Sequence, residues 1–86
     1  MEELLKVMKT NFPEEVKDSE TYFKMCKEAN EMGEDELASF LFEMARDEYT
    51  HALFISEFLE SQGHMLPPEQ KKMWTEYKDK VENMFQ

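Results

Sequence analysis

The segment LASFLFEMARDEYTHALFISEFL, residues 37–59, decides the fold. Alternating steps of four and three from Leu37 give Leu37, Leu41, Met44, Glu48, His51, Ile55 and Phe58, the seam spacing of a helix packed in a bundle. Apolar residues fill the seam except at Glu48 and His51, which occupy consecutive positions one turn apart. Burying an uncompensated charge there would cost several kcal/mol, and a metal ion is the partner that would use both groups.

The segment before it has the same character. Glu15, Asp18, Tyr22, Met25, Ala29 and Met32 follow the seam spacing, with Val16, Phe23 and Cys26 widening the apolar face. Gly33 supplies a helix stop, and Glu34, Asp35 and Glu36 lead into the next helix, so the two segments are expected to form an antiparallel hairpin. At about 1.5 Å of rise per residue, Asp18 and Glu48 each lie roughly 22 Å from Gly33, and Glu15 and His51 roughly 27 Å. All four groups therefore fall within about one turn of the same level. A bland account stands beside this one: Glu14, Glu15 and Asp18 would lie in a first turn, where the helix dipole favours acids. His51 could be an ordinary hydrogen-bonded core residue, and Glu48 could pair with Lys17, Lys24 or Arg46.

Outside the hairpin, Leu4, Leu5, Met8 and Phe12 fall on one side of a short N-terminal segment. Pro13 disfavours helical geometry at Phe12, which divides the chain into an N-terminal helical segment, residues 1–12, and a hairpin, residues 13–61, with Thr10 or Asn11 near the cap. The first segment is a separate short helix or the front half of a kinked one. Gly63, His64, Pro67 and Pro68 mark a loop, with His64 a solvated loop residue. A last helix, residues 67–86, carries Met73, Trp74, Tyr77, Val81, Met84 and Phe85 on one side and covers the hairpin or a neighbouring subunit. The fold class is all-α, one domain of 86 residues, with no segment showing strand alternation.

A chain this short builds a thin core, and association with a second copy is an ordinary way to complete it. Twenty acidic against ten basic residues give a net charge of −10, which disfavours nucleic acid and anionic membranes and makes cations the natural counterpart. The single cysteine, Cys26, excludes an intrachain disulfide and an all-cysteine metal site within one chain, and reads as a small core residue. Without a visible signal peptide or membrane-length apolar run, the expected compartment is the cytoplasm.

A carboxylate and a histidine at i and i+3, opposite a carboxylate on a neighbouring helix, offer oxygen and nitrogen ligands suited to iron or manganese. One hairpin supplies half the inventory of a dinuclear carboxylate site. Glu15, Glu48 and His51 from each of two subunits would complete it in a four-helix bundle.

The order Glu15, Tyr22, Gly33 and Glu48-x-x-His51 resembles the ferritin-like superfamily, most of all the rubrerythrin hairpin, over about half the chain. Because one hairpin is present where ferritins and rubrerythrins carry two, the sequence is similar to the encapsulated ferritins, in which a hairpin dimerises to build the site between subunits. The resemblance implies two iron ions per dimer, with manganese or zinc also compatible, and oxidation of ferrous ion by dioxygen or peroxide. It makes Glu15, Glu48 and His51 the metal ligands, with Glu48 or Glu15 bridging and His51 terminal. Tyr22 would be a nearby outer partner and Asp18 an outer or substitute ligand. The family's rubredoxin-like cysteines are lacking, and residues 82–86 do not look like a cargo-targeting extension. Two other functions fit the same chain. One is a metal-free interaction module that binds another protein through Trp74 and Tyr77. The other is a dimer in which the metal is only a structural staple.

Overall fold

A computed structural model describes residues 1–84. Three helices follow one another, α1 (Glu2–Glu31), α2 (Asp35–Ser61) and α3 (Pro68–Met84), and no strand occurs among the described residues. The expected all-α class and the α1–α2 hairpin are observed. Among the described residues, no helix is long and apolar enough to cross a membrane.

Of the two alternatives at Pro13, the separate helix is not observed: α1 runs unbroken through it, and residues 2–12 are the front half of one long helix. Thr10 does not cap a new helix. Its hydroxyl donates back to the Lys6 carbonyl at 3.1 Å, as serine and threonine do inside helices. An internal proline costs about 3 kcal/mol by removing one backbone donor and crowding the preceding turn. Burial of the turns that precede it offsets that cost. Leu5 and Phe12 are almost wholly buried, and each such side chain contributes about 1.5–3 kcal/mol. Phe12 also packs edge-on against Trp74, with ring centroids 5.4 Å apart.

The hairpin turn is closed by glycine chemistry. Gly33 adopts φ +78°, Gly33 N–H donates to Asn30 O at 3.1 Å, and Glu34 N–H donates to Ala29 O at 2.9 Å. This reciprocal pair satisfies carbonyls that the helix end would otherwise leave open. Gly63, at φ +76°, repeats the device at the end of α2 through Glu60 and Leu59, so that helix runs past Leu59 to Ser61 before the loop begins.

The buried stripes differ from the expected seam by about one residue. Leu5, Phe12, Ser19 and Cys26 are buried on α1 at intervals of seven; Ala38, Ala45, Ala52 and Leu59 are buried on α2 at the same interval. Their numbers pair antiparallel, Phe12 with Ala52, Ser19 with Ala45 and Cys26 with Ala38, and two of these levels carry direct bonds. Ser19 Oγ donates to Ala45 O at 2.9 Å, and the Cys26 thiol donates to Ala38 O at 3.2 Å. The alanines let the helices approach closely, which turns Leu37, Met44, His51 and Phe58 to the flank; Leu37 is half exposed and His51 is exposed. Of the expected seam on α2, only Leu41 is fully buried.

One flank of the hairpin is covered by α3. Trp74, Tyr77 and Val81 are buried against Phe12 and Ala52, with Val16, Phe23, Tyr49 and Leu53 around them. The last helix thus covers its own hairpin. Tyr77 OH lies 2.6 Å from Ser19 Oγ; since the Ser19 proton goes to Ala45 O, the phenol donates to Ser19. Burial pushes the Tyr77 phenol above its ordinary pKa, which keeps that proton in place. Met73 and Met84, expected on the covering side, are largely exposed, and Phe85 lies outside the described residues.

Two outcomes follow. Pro13→Ala restores a backbone donor at an exposed position and raises stability by up to about 3 kcal/mol, read as a higher urea midpoint with unchanged m-value. Ser19→Ala orphans the buried Tyr77 hydroxyl and lowers stability by about 1–3 kcal/mol; the Ser19→Ala/Tyr77→Phe pair loses less than the sum of the single changes.

Candidate metal centre

Glu15 projects from the middle of α1, and Glu48 and His51 project one turn apart from α2, on the flank opposite α3. The hairpin register brings them together. His51 Nδ1 lies 3.5 Å from Glu15 Oε2 and 3.7 Å from Glu48 Oε1, and one donor atom from each residue falls within 4.8 Å of the others. Because α1 begins at Glu2, Glu15 and Asp18 are several turns inside the helix, so the first-turn dipole account does not apply to them. Lys17, Lys24 and Arg46 form no ion pair with Glu48; Lys24 pairs instead with Glu20, at 3.5 Å.

The electrostatics of the cluster are strained without a cation. Hydrogen bonding with Glu15 is the largest cause that raises the Glu48 carboxyl to about 7, followed by burial and by repulsion from Glu15; His51 pulls the other way and Asp18 adds to the rise. Two carboxyls this close cannot both ionise cheaply. Glu15 Oε2 is shielded from water and receives no hydrogen bond. A buried carboxylate oxygen left in that condition costs roughly 1–3 kcal/mol, more when charged.

The donor set fits a metal ion. Two carboxylates and an imidazole are the oxygen and nitrogen ligands that iron, manganese and zinc accept. With bonds of roughly 2.0–2.2 Å, an ion placed between the three donors would reach all of them after small side-chain adjustments. Glu15 Oε2, which has only the 3.5 Å approach of His51 Nδ1 and no hydrogen bond, would then gain a direct bond. Three donors leave coordination positions open, since a structural zinc takes four ligands and harder cations take more.

Asp18 is exposed and stands outside the three-residue cluster, close enough for its charge to act on Glu48. Tyr22 is half buried one turn or more further along the same flank, packed on the cluster formed by Cys26, Ala29, Ala38 and Leu41. His64 is a partly buried loop residue far from these ligands in sequence and outside the cluster. Trp74 and Tyr77, the anchors expected for a protein-binding module, are buried in the chain's own core and offer nothing to a partner.

Around the ligands the flank is apolar and open. Phe40 and Phe54 are about three-fifths exposed, Leu4 and Val7 more than half, and Met25, Leu37 and Phe58 substantially so. Phe40 and Phe54 were not singled out by the seam count because they lie one step outside it. Their spacing of three from Leu37 and from His51 is the signal that widens the stripe.

Compared with known proteins, the chain matches no protein-family model, no curated protein and no solved structure.

The raised Glu48 carboxyl fixes a pH dependence for the metal-free protein. The folded state holds this proton to about pH 7 while the unfolded state releases it near 4.5, so the contribution of Glu48 to stability falls as pH rises through that window. Glu15→Gln removes the neighbouring charge and returns Glu48 toward its ordinary range. Carboxyl carbon NMR is expected to register the fall, and urea midpoints between pH 4.5 and 7 to lose the slope due to this group.

Proposed function

We propose that the chain is a ferritin-like half-site protein: two copies join along the flank opposite α3 and hold two metal ions, iron first, with Glu15, Glu48 and His51 from each copy. The observation that carries this reading is the placement of three convergent donors, one of them an orphaned carboxylate oxygen, within an exposed apolar flank. A single chain offers too few donors for a dinuclear site. A second copy related by two-fold symmetry would bring four carboxylates and two imidazoles to one place, the inventory of carboxylate-bridged metal pairs in helical bundles.

Iron bound there supplies one-electron chemistry between its ferrous and ferric states, and the proposed reaction is oxidation of ferrous ion or handling of an oxidant. The chain's own contributions are separate from that chemistry. Glu15 and Glu48 would hold cations by charge, and His51 in its neutral form would add a nitrogen donor. Glu48 must give up its proton to serve as a ligand, so metal uptake releases protons and strengthens as pH rises through about 7. Phe40, Met44 and Phe58, covered by the second copy, would exclude water around the donors.

Anaerobic ferrous titration of chelator-stripped protein, followed by native mass spectrometry, counts subunits and metal together. Two irons per dimer are expected, lost in Glu48→Ala and in His51→Ala while helicity is kept. A dimer that takes up no iron, or a monomer that binds iron as tightly as any dimer, would sink the shared-site reading. Retained stoichiometry in Glu48→Ala would remove Glu48 as a ligand. If iron binds but added dioxygen or peroxide produces no ferric signal, and chelation merely dissociates the dimer, the metal is a staple.

A further inference from the structure

On the side of the hairpin that carries α3, beyond the aromatic core, α1, α2 and α3 border an open groove of about 550 Å³. Its floor includes Cys26, Tyr77 and Val81, and Met84 stands at its lip. A second, shallower groove of about 400 Å³ shares Cys26 and Asn30 with the first and extends it toward Arg46. Both volumes are of the size that small apolar molecules occupy.

The charge around this trough runs against the rest of the molecule. The chain has twice as many acidic as basic residues, yet Lys24, Lys27, Lys80 and Arg46 all line the trough, against the carboxylates Glu20 and Glu43. Glu20 is engaged with Lys24 at 3.5 Å. Among the described residues, no carboxylate lies within ion-pair distance of Lys27, Lys80 or Arg46. Asn30 adds an amide donor to the same rim. A hollow with an apolar floor and an excess of fixed ammonium groups favours a ligand that is apolar along its body and anionic at its head.

We propose that this trough binds an amphipathic carboxylate of the fatty-acid type, its apolar body over Cys26, Tyr77 and Val81 and its carboxylate at Lys27 and Lys80. The site is separate from the Glu15, Glu48 and His51 cluster, which lies on the other flank, so it stands or falls independently of metal binding.

The test uses the full chain, stripped of metal with a chelator, titrated with decanoate, decanol and decyltrimethylammonium and followed by methyl NMR. Decanoate is expected to saturate and to shift Val81 and Met84 while His51 stays still. Decanol should bind about tenfold more weakly, and the ammonium analogue more weakly again. Lys27→Gln/Lys80→Gln, two exposed positions whose replacement leaves helicity intact, should bring decanoate down to the affinity of decanol. Equal binding of all three head groups, shifts centred on Phe40 and Phe54, failure to saturate, or full decanoate affinity in the double variant would each overturn the proposal.

Discussion

The close approach of α1 and α2 along a stripe of small side chains governs everything else in this molecule. Ala38, Ala45 and Ala52 leave no bulk between the helices, and Ser19 and Cys26 answer them with groups small enough to bond the opposing backbone. With the seam so thin, the larger residues must lie on its two flanks. Tyr49, Leu53, Val16 and Phe23 fall to one side, where α3 buries them. Glu15, Glu48, His51 and an exposed set of phenylalanines fall to the other. The seam acts as a sorting line, with an aromatic core completed within the chain on one flank and a chemical cluster held open on the other.

The open flank is costly in isolation. It exposes apolar surface to water, and it holds two carboxyls against each other firmly enough to keep one protonated near neutrality. Neither cost is needed for the stability of a small helical hairpin, and apolar or well-paired residues at these positions would avoid both. Tension concentrated at one place on an otherwise well-packed fold is common at sites that recruit something from outside. A cation would relieve the charge and an apolar partner the exposure.

Much of this was legible in the sequence because it depends on local chemistry. The positive-φ glycines at 33 and 63 marked the two helix ends, and the count from Gly33 placed Glu15 level with His51, where the structure brings them into contact. Four features resisted reading. Pro13 looked like a boundary because local propensity argues for one; the tertiary burial of Phe12 against Trp74, distant in sequence, overrides it. The seam was placed one residue off because a count of apolar positions favours large residues, whereas the actual contact is made by alanines, serine and cysteine. Trp74 and Tyr77 looked available to a partner because nothing in their own helix shows which surface it meets. The donor set was visible, and the orphaned oxygen of Glu15 was not, since orphaning depends on neighbours that only the folded chain supplies.

The seven-residue interval kept by Leu5, Phe12, Ser19 and Cys26, and by Ala38, Ala45, Ala52 and Leu59, is shorter than two turns of a straight α-helix. Holding it over three repeats winds the pair into a left-handed supercoil, and at a pitch of roughly 150 Å a hairpin of this length turns through about a quarter of a revolution. The open flank is therefore a twisted ribbon. A flat surface could meet it over only part of its length, whereas a body wound with the same hand and pitch could follow it from Leu4 and Phe58 at one end to Met25 and Phe40 at the other. Chirality thus becomes a filter on partners, imposed by the spacing of small residues buried where no partner can touch them.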